Sequence, residues 1–231
     1  MACLCARNPR RVPRESREGG GAMSGILTVC DANVCRSVAA ELLLTEQFSR
    51  HLAAAGIQVQ SRGAQALPAH SACRLVEDLR DDEAWRSRAR KHQSAQLDVA
   101  AIEEADLILT ATISTRASVV SLVPSARRRV FTLREAVSSA SGFIPSTGAA
   151  GDDLVRDFTA HLDSRRGLQS LPTTRGSRWR RASHPFDIAD GHTGGHHAHV
   201  EAVAQVEKAV SQLVGAMTAD PTLPFLAGDR R

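Results

Sequence analysis

The segment VCDANVCRS, residues 29–37, places Cys30 and Arg36 six positions apart, where an apolar β-branched run changes into helix-forming residues. The first helical N–H groups after such a turn lack partners within the helix, so they can bind an anion and favour a thiolate. Arg36 adds a planar fork that matches two phosphate oxygens, and Ser37 can donate its hydroxyl to the sulfur. The segment therefore predicts a phosphate cup with a cysteine nucleophile at its floor. A small buried cysteine beside a surface arginine is the structural alternative, which the strand–loop–helix context disfavours.

Strands that alternate with helices must hold this segment in place. Apolar runs predict strands at 26–30, 57–61, 105–111 and 128–133, and helical spacing predicts helices at 36–54, from about 71, at 115–123, 134–140, 152–166 and 199–217. Such alternation favours parallel pairing with helices on both faces of a sheet. We therefore predict an α/β fold, an open three-layer α/β/α arrangement around a four-stranded parallel sheet.

The chain divides into one folded domain with appendages. Residues 1–25 are polar and rich in arginine and glycine, which predicts a disordered N-terminal extension before a domain at 26–217. A helix and a basic run at about 141–185 read as an insertion within this domain, and 218–231 as a C-terminal tail.

The composition limits the partners of the protein. Hydrophobic residues make up 42% and charged residues 23% of the chain, as in ordinary globular proteins, and the net charge is only +4. The basic runs at 6–20 and 173–185 have no interleaved aromatic residue except Trp179, so no nucleic acid is expected. No apolar stretch approaches the roughly 20 residues that span a bilayer, so no membrane is expected either. Five cysteines, an odd number, favour a reducing cytoplasm over a disulfide framework.

The motif resembles the low-molecular-weight protein tyrosine phosphatases, whose corresponding loop reads V-C-x-G-N-x-C-R-S. Further similar segments are QVQSRGAQAL, ARKHQSAQLD, EEADLILTAT, RRVFTLREA and FDIADGHTGG, so the resemblance covers roughly residues 26–140 and 184–217. It implies a flavodoxin-like fold, no cofactor and no metal.

The resemblance also implies roles for individual residues. Cys30 would accept the phosphoryl group, Arg36 would hold its oxygens, and Asp190 would be the general acid and then the base for water. Asp187 is a competing acid whose place in the motif favours a structural role. The phosphate-binding positions would be Asp31, Ala32, Asn33, Val34, Cys35, Arg36 and Ser37. Asn33 would shape the loop, because asparagine tolerates a left-handed backbone.

Two departures from the family pattern concern the backbone. Ala32 stands where the family has glycine, which predicts strain if that position requires a positive φ. Gly191 stands where the family usually has proline, which predicts a more mobile loop around Asp190. The chain also has no tyrosine, and phosphotyrosine sites of the family are walled by aromatic side chains.

Other cysteines and histidines leave alternatives open. The resemblance implies that Cys35 forms a reversible disulfide with Cys30, and a small core residue is the equal alternative. Cys73 reads as an ordinary helix cysteine. The segment GHTGGHHAHV, with His192, His196, His197 and His199, reads as a solvated loop rim, since Gly194 and Gly195 favour a loop over a dedicated metal site.

The resemblance implies a phosphomonoester hydrolase that acts on a phosphorylated protein or a small aryl phosphate. A catalytically weak phosphate-binding or regulatory module is the alternative. An arsenate reductase of the same fold is disfavoured, because its disulfide relay needs cysteines beyond Cys73. A phosphocysteine carrier is also disfavoured, because Arg36 suits hydrolysis better.

Overall fold

The structure, a computed structural model, describes residues 25–52, 56–66, 68–146, 151–168 and 184–218. The predicted extension up to residue 24, the basic run at 173–183 and the tail at 219–231 lie outside the described residues. None of the described helices is long and apolar enough to cross a membrane.

Four strands form the central sheet, and helices connect them. The strands are β1 (Gly25–Cys30), β2 (Gln58–Gly63), β3 (Leu107–Thr110) and β4 (Val130–Thr132). The helices up to β4 are α1 (Arg36–His51), α2 (Arg74–Glu77), α3 (Glu83–Lys91), α4 (Val99–Glu104) and α5 (Ile113–Leu122). After β4 come α6 (Leu133–Ser139), α7 (Gly151–Ser164) and α8 (Gly195–Thr218).

The strands are all parallel and lie in the order β2-β1-β3-β4. Side chains alternate between the two faces of each strand, and both faces are buried. Ile26 of β1 and Leu107 of β3 pack with α1, α6, α7 and α8 on one face. Leu27 and Ile108 pack with α4 and α5 on the other face. This confirms the predicted three-layer α/β arrangement and its flavodoxin-like topology.

The helix predicted at 152–166, in the insertion, is α7. Its residues Leu154, Val155, Phe158 and Leu162 are buried in the same core cluster as α1 and α8. Phe158 also packs edge-on against Phe143, with ring centroids 5.0 Å apart. This part of the predicted insertion therefore contributes a helix to the central core.

The start of α8 differs from the prediction. Gly194 and Gly195 were expected to hold a loop, yet α8 begins at Gly195, four residues before the predicted start. Gly195 has a φ of +80°, which glycine adopts without a steric penalty. This conformation turns the chain from a short 3₁₀ helix at Gly191–Thr193 directly into α8.

Candidate active site

The predicted cup lies between β1 and α1. Cys30 ends β1 and Arg36 begins α1, and their exposed fractions are only 2% and 3%. We call residues 30–36 the Cys30 loop. The first turn of α1 carries no acidic residue, so nothing there opposes an anion at the helix N-terminus.

The carbonyl groups of the Cys30 loop point away from its centre. The four that show this accept hydrogen bonds from outside the loop: Cys30 from Ala64 N, Asp31 from Gln65 N, Asn33 from His92 Nε2, and Val34 from Cys73 N, at 2.8–2.9 Å. In a trans peptide, the carbonyl and the following N–H point in opposite directions. The N–H groups of residues 31, 32, 34 and 35 therefore point toward the interior of the loop.

Gly63, at the end of β2, allows this close approach. A Cβ built on Gly63 would lie 2.7 Å from the carbonyl oxygen of Asp31. Any larger side chain would push β2 away from the Cys30 loop, so this glycine helps to hold the carbonyls outward.

The residue of the Cys30 loop that has a left-handed backbone is Asn33 and not Ala32. Asn33 is fully buried and has a φ of +56°, which agrees with the predicted left-handed backbone. Ala32 does not have a positive φ. The condition under which strain was predicted for Ala32 is therefore not met, because the left-handed residue is the next one along the chain.

Ser37 is oriented toward the sulfur of Cys30. Its Oγ lies 3.0 Å from Cys30 Sγ and accepts a hydrogen bond of 3.0 Å from Asn33 Nδ2. Because Asn33 Nδ2 can only donate, the hydroxyl hydrogen of Ser37 remains for the sulfur. The geometry thus directs a donor at Cys30.

A buried chain of hydrogen bonds holds Asn33 in this position. Its Nδ2 also donates to Ser61 Oγ at 2.8 Å, and its Oδ1 accepts from Ala95 N at 2.8 Å. Ser61 in turn donates to a carboxyl oxygen of Glu41. Burial raises the pKa of Glu41, and the bond from Ser61 opposes that shift.

Arg36 connects the Cys30 loop with the segment before α8. Its Nη1 donates to Ile188 O at 2.9 Å, while its Nη2 lies 2.9 Å from Asp31 Oδ2 and 3.2 Å from Asp190 Oδ2. The carboxylate of Asp31 was not expected in contact with the guanidinium. This pairing could not be inferred from the spacing, because it depends on how the loop closes.

The two candidate acids have different positions. Asp187 Oδ1 accepts a hydrogen bond from Ile113 N at 2.8 Å, at the first residue of α5. Asp190 contacts Arg36, and its Oδ1 accepts from His192 N at 2.9 Å. The structure therefore brings Asp190 to the cup, while the Asp187 carboxylate is engaged at a helix terminus.

Gly191 lies against α8. It is buried, and a Cβ built on it would lie 2.3 Å from His199 Cα and 2.8 Å from Ala198 O. Neither a proline ring nor a methyl group fits there. Glycine at this position therefore permits a close contact with the helix, and the predicted mobility of the segment stays a prediction.

Cys35 and Cys73 lie beside His199. Cys35 Sγ is 3.0 Å and Cys73 Sγ is 3.5 Å from His199 Nε2. A hydrogen bond from the Cys35 thiol lowers the pKa of Cys73 to about 7, and the same bond with burial raises the pKa of Cys35. Burial, followed by the nearby His192, lowers the pKa of His199. His192, His196 and His197 are exposed, as the prediction of a solvated rim requires, but His199 lies half-buried in α8 and faces the two cysteines. Cys73 stands at the start of α2, as predicted, and its contact with His199 was not expected.

The sequence analysis did not predict that Cys35, Cys73 and His199 lie together, because their proximity depends on the fold. Cys73 precedes α2, and its N–H bonds Val34 O at 2.8 Å, which brings it next to the Cys30 loop. No spacing rule links residues 35 and 73. The remaining predicted positions, from Cys30 to Ser37 together with Asp190, lie together around the cup.

The arrangement can bind a tetrahedral oxyanion and attack it. Inward N–H groups and Arg36 supply donors, Cys30 supplies sulfur, and Asp190 supplies a carboxyl group at the same guanidinium. These are the parts that nucleophilic phosphoryl transfer requires.

Comparison with known proteins agrees with this chemistry. Residues 25–143 match the family model described as low molecular weight phosphotyrosine protein phosphatase. The protein-tyrosine-phosphatase PtpB of Staphylococcus aureus is 29% identical over 133 residues, which cover 58% of this chain and 88% of PtpB.

Two solved structures share the fold. The YwlE arginine phosphatase from Geobacillus stearothermophilus has a TM-score of 0.55 at 21% identity, covering 86% of this chain and 96% of that one. A low molecular weight protein tyrosine phosphatase from Bacillus subtilis has a TM-score of 0.53 at 24% identity, covering 85% and 99%. Because the family model matches more than half of this chain, the chain belongs to the low molecular weight phosphotyrosine protein phosphatases, a family of hydrolases.

Proposed function

We propose that the protein hydrolyses phosphomonoesters through a phosphocysteine intermediate on Cys30. The observation that carries this is the position of Cys30 Sγ, 3.0 Å from the Ser37 hydroxyl, at the start of a loop whose N–H groups point inward. Phosphotyrosine in proteins or a small aryl phosphate is the substrate class, in line with the family description.

In the first step, the Cys30 thiolate attacks phosphorus, and a sulfur–phosphorus bond forms as the bond to the leaving oxygen breaks. Asp190 gives its proton to that oxygen, so that the leaving group departs as a neutral phenol. Arg36 and the loop N–H groups hold the equatorial oxygens, where negative charge develops.

In the second step, water attacks the phosphocysteine. Asp190, now a carboxylate, takes a proton from the water, and the sulfur–phosphorus bond breaks to release phosphate and the thiolate. The Ser37 hydroxyl stabilises the sulfur as leaving group. Each proton and electron pair returns to its starting place, so the cycle needs no cofactor.

The test is turnover of p-nitrophenyl phosphate by the purified full chain in EDTA. Cys30→Ser should abolish turnover, and Asp190→Asn should slow it about 100-fold. Asp187→Asn is the matched control and should keep activity within about threefold, because an asparagine oxygen can still accept from Ile113 N. Retained activity in Cys30→Ser would refute the proposal. A wild-type protein that binds vanadate but does not hydrolyse p-nitrophenyl phosphate would favour the phosphate-binding module. A wild-type protein that reduces arsenate but does not hydrolyse p-nitrophenyl phosphate would favour the reductase.

Protein phosphoarginine is a second candidate substrate. Asp31 places a carboxylate, 43% exposed, at the rim of the cup, where it could pair with a substrate guanidinium. One structural relative is described as an arginine phosphatase. If this substrate is used, Asp31→Asn should lower kcat/KM for a phosphoarginine peptide about tenfold without lowering it for a phosphotyrosine peptide.

We expect the enzyme to work in a reducing cytoplasm. Cys30, Cys35 and Cys73 are all free thiols. Oxidation of Cys30 would remove the nucleophile that the mechanism needs.

A further inference from the structure

Next to the cup, two thiols and two imidazoles form a compact cluster. We call it the Cys2His2 cluster, and its members are Cys35, Cys73, His192 and His199. One possible ligand atom from each residue lies within 4.8 Å of the others. The four residues come from four different places in the fold, namely the Cys30 loop, the start of α2, the 3₁₀ turn after Asp190 and the second turn of α8.

The donor set and the spacing fit a tetrahedral ion. Zinc binds thiolate sulfur at about 2.3 Å and imidazole nitrogen at about 2.0–2.1 Å, so its four ligand atoms lie about 3.3–3.8 Å apart. Cys73 Sγ already lies 3.5 Å from His199 Nε2, and Cys35 Sγ lies at 3.0 Å. Side-chain shifts of about 1 Å or less would complete the geometry. Two sulfurs and two nitrogens favour Zn²⁺ over the oxygen-seeking Mg²⁺ and Ca²⁺.

Contacts within the protein itself hold the four residues of the Cys2His2 cluster together. The backbone bond from Cys73 N to Val34 O fixes the start of α2 against the Cys30 loop. On the other side of the cluster, the ring centroids of His192 and His199 lie 3.9 Å apart. The close packing of Gly191 on His199 keeps that pair together. The backbone thus brings two thiols to face two imidazoles.

We propose that the Cys2His2 cluster binds one Zn²⁺ ion as a structural clamp. Four protein ligands leave no open coordination position, so the ion takes no part in phosphoryl transfer. It would join the Cys30 loop to the turn that follows Asp190. If the proposed mechanism holds, the clamp keeps Asp190 beside Arg36, and this consequence alone rests on the proposed function.

The first test measures binding directly. The full chain is reduced, freed of metal with EDTA and desalted, and Zn²⁺ is titrated in competition with a chromophoric chelator. We expect one equivalent to bind, with an increase in Tm of roughly 5–10 °C at a hundredfold excess over Kd. Co²⁺ in place of Zn²⁺ should show the visible bands of a tetrahedral ion and a thiolate-to-cobalt charge-transfer band. An octahedral spectrum without that band would overturn the proposal.

Variants separate the cluster from the histidine-rich segment as a whole. Cys73→Ser and His192→Ala should each weaken Zn²⁺ binding roughly a hundredfold, and Cys73→Ser should reduce the charge-transfer band. The matched control is His196→Ala with His197→Ala, two exposed histidines of the same segment. This double variant should bind as the wild type does. If only the control lost binding, the ion would be adventitious on surface histidines and the proposal would fail.

The clamp itself has a readout that does not use activity. Hydrogen exchange of the backbone N–H groups between residues 188 and 195 should slow when Zn²⁺ binds, and it should not change in Cys73→Ser. Exchange that is the same with and without bound Zn²⁺ would refute the clamp. Because every measurement here follows the metal or the backbone, a failure of the phosphatase proposal would be seen separately.

Discussion

The hydroxyl of Ser37 points at the sulfur of Cys30 because Asn33 occupies its acceptor side. Ser37 Oγ lies 3.0 Å from Cys30 Sγ and 3.0 Å from Asn33 Nδ2. All three side chains are buried, so water cannot easily replace any of these contacts. The sulfur thus has a donor in place both when it attacks and when it leaves.

We expect Ser37→Ala to lower kcat/KM for p-nitrophenyl phosphate about 10- to 100-fold. Loss of a hydrogen bond to a charged group costs about 1.5–3 kcal/mol, and here that group is the thiolate. Steady-state kinetics on the purified variant is the measurement. Ser121→Ala, an exposed serine on α5, is the control and should be as active as the wild type. Unchanged kinetics in Ser37→Ala would mean that the hydroxyl does not serve the sulfur.

Asp31 should oppose the binding of phosphate. Its carboxylate forms an ion pair with Arg36 Nη2 at 2.9 Å and would repel a phosphate dianion in the cup. Asp31→Asn should therefore lower the inhibition constant of inorganic phosphate about three- to tenfold. Glu103→Gln removes the same charge at an exposed site on α4 and should leave the constant unchanged. Weaker phosphate binding in Asp31→Asn would show instead that Asp31 positions Arg36 for the anion.

Glu41 should make stability depend on pH. Because burial raises its pKa in the folded protein, the folded state binds more protons than the unfolded state above the ordinary carboxyl range. The free energy of unfolding should therefore fall as pH rises from about 4.5 through the raised value. Glu41→Gln removes this dependence and keeps an acceptor for Ser61, so its advantage over the wild type should grow with pH.

Urea unfolding at several pH values between 4.5 and 8 measures this difference. Glu201→Gln, an exposed residue of α8, serves as the control and should follow the wild-type curve. Parallel curves for Glu41→Gln and the wild type would contradict the assignment of the pH dependence to Glu41.

The sequence predicts those parts of the site that one strand-to-helix turn brings together. Cys30 and Arg36 lie at the two ends of one strand-to-helix turn, so their proximity follows from local structure. Asp190 is 154 positions from Arg36, and only the resemblance to a family pointed to it. The contact of Cys73 with the Cys30 loop had no such signal, because it depends on the packing of α2.

A comparison of single positions with a family pattern likewise did not predict two features of the backbone. Ala32 and Gly191 were judged by the residue that the family has at each position. The structure shows that the left-handed residue is Asn33 and that Gly191 packs on α8. Neither relation is visible in sequence, because one depends on how the loop closes and the other on a contact with a helix that follows it.

Gly191→Ala tests the packing of the Asp190 segment on α8. A methyl group would lie 2.3 Å from His199 Cα, so the two segments must separate, at a cost of about 1–3 kcal/mol. Separation would move Asp190 from Arg36, and kcat should fall at least about tenfold. Gly191→Pro, the residue usual in the family, should be at least as harmful.

Gly142→Ala distinguishes this effect from a general loss of stability. Gly142 has a φ of +76° with open space around it, so alanine there should cost about 1–2 kcal/mol through the backbone alone. Its kcat should equal that of the wild type at a temperature where both are folded. If Gly191→Ala lost stability but kept full kcat, Asp190 would not depend on this contact, because the acid would reach the substrate from a segment displaced from α8.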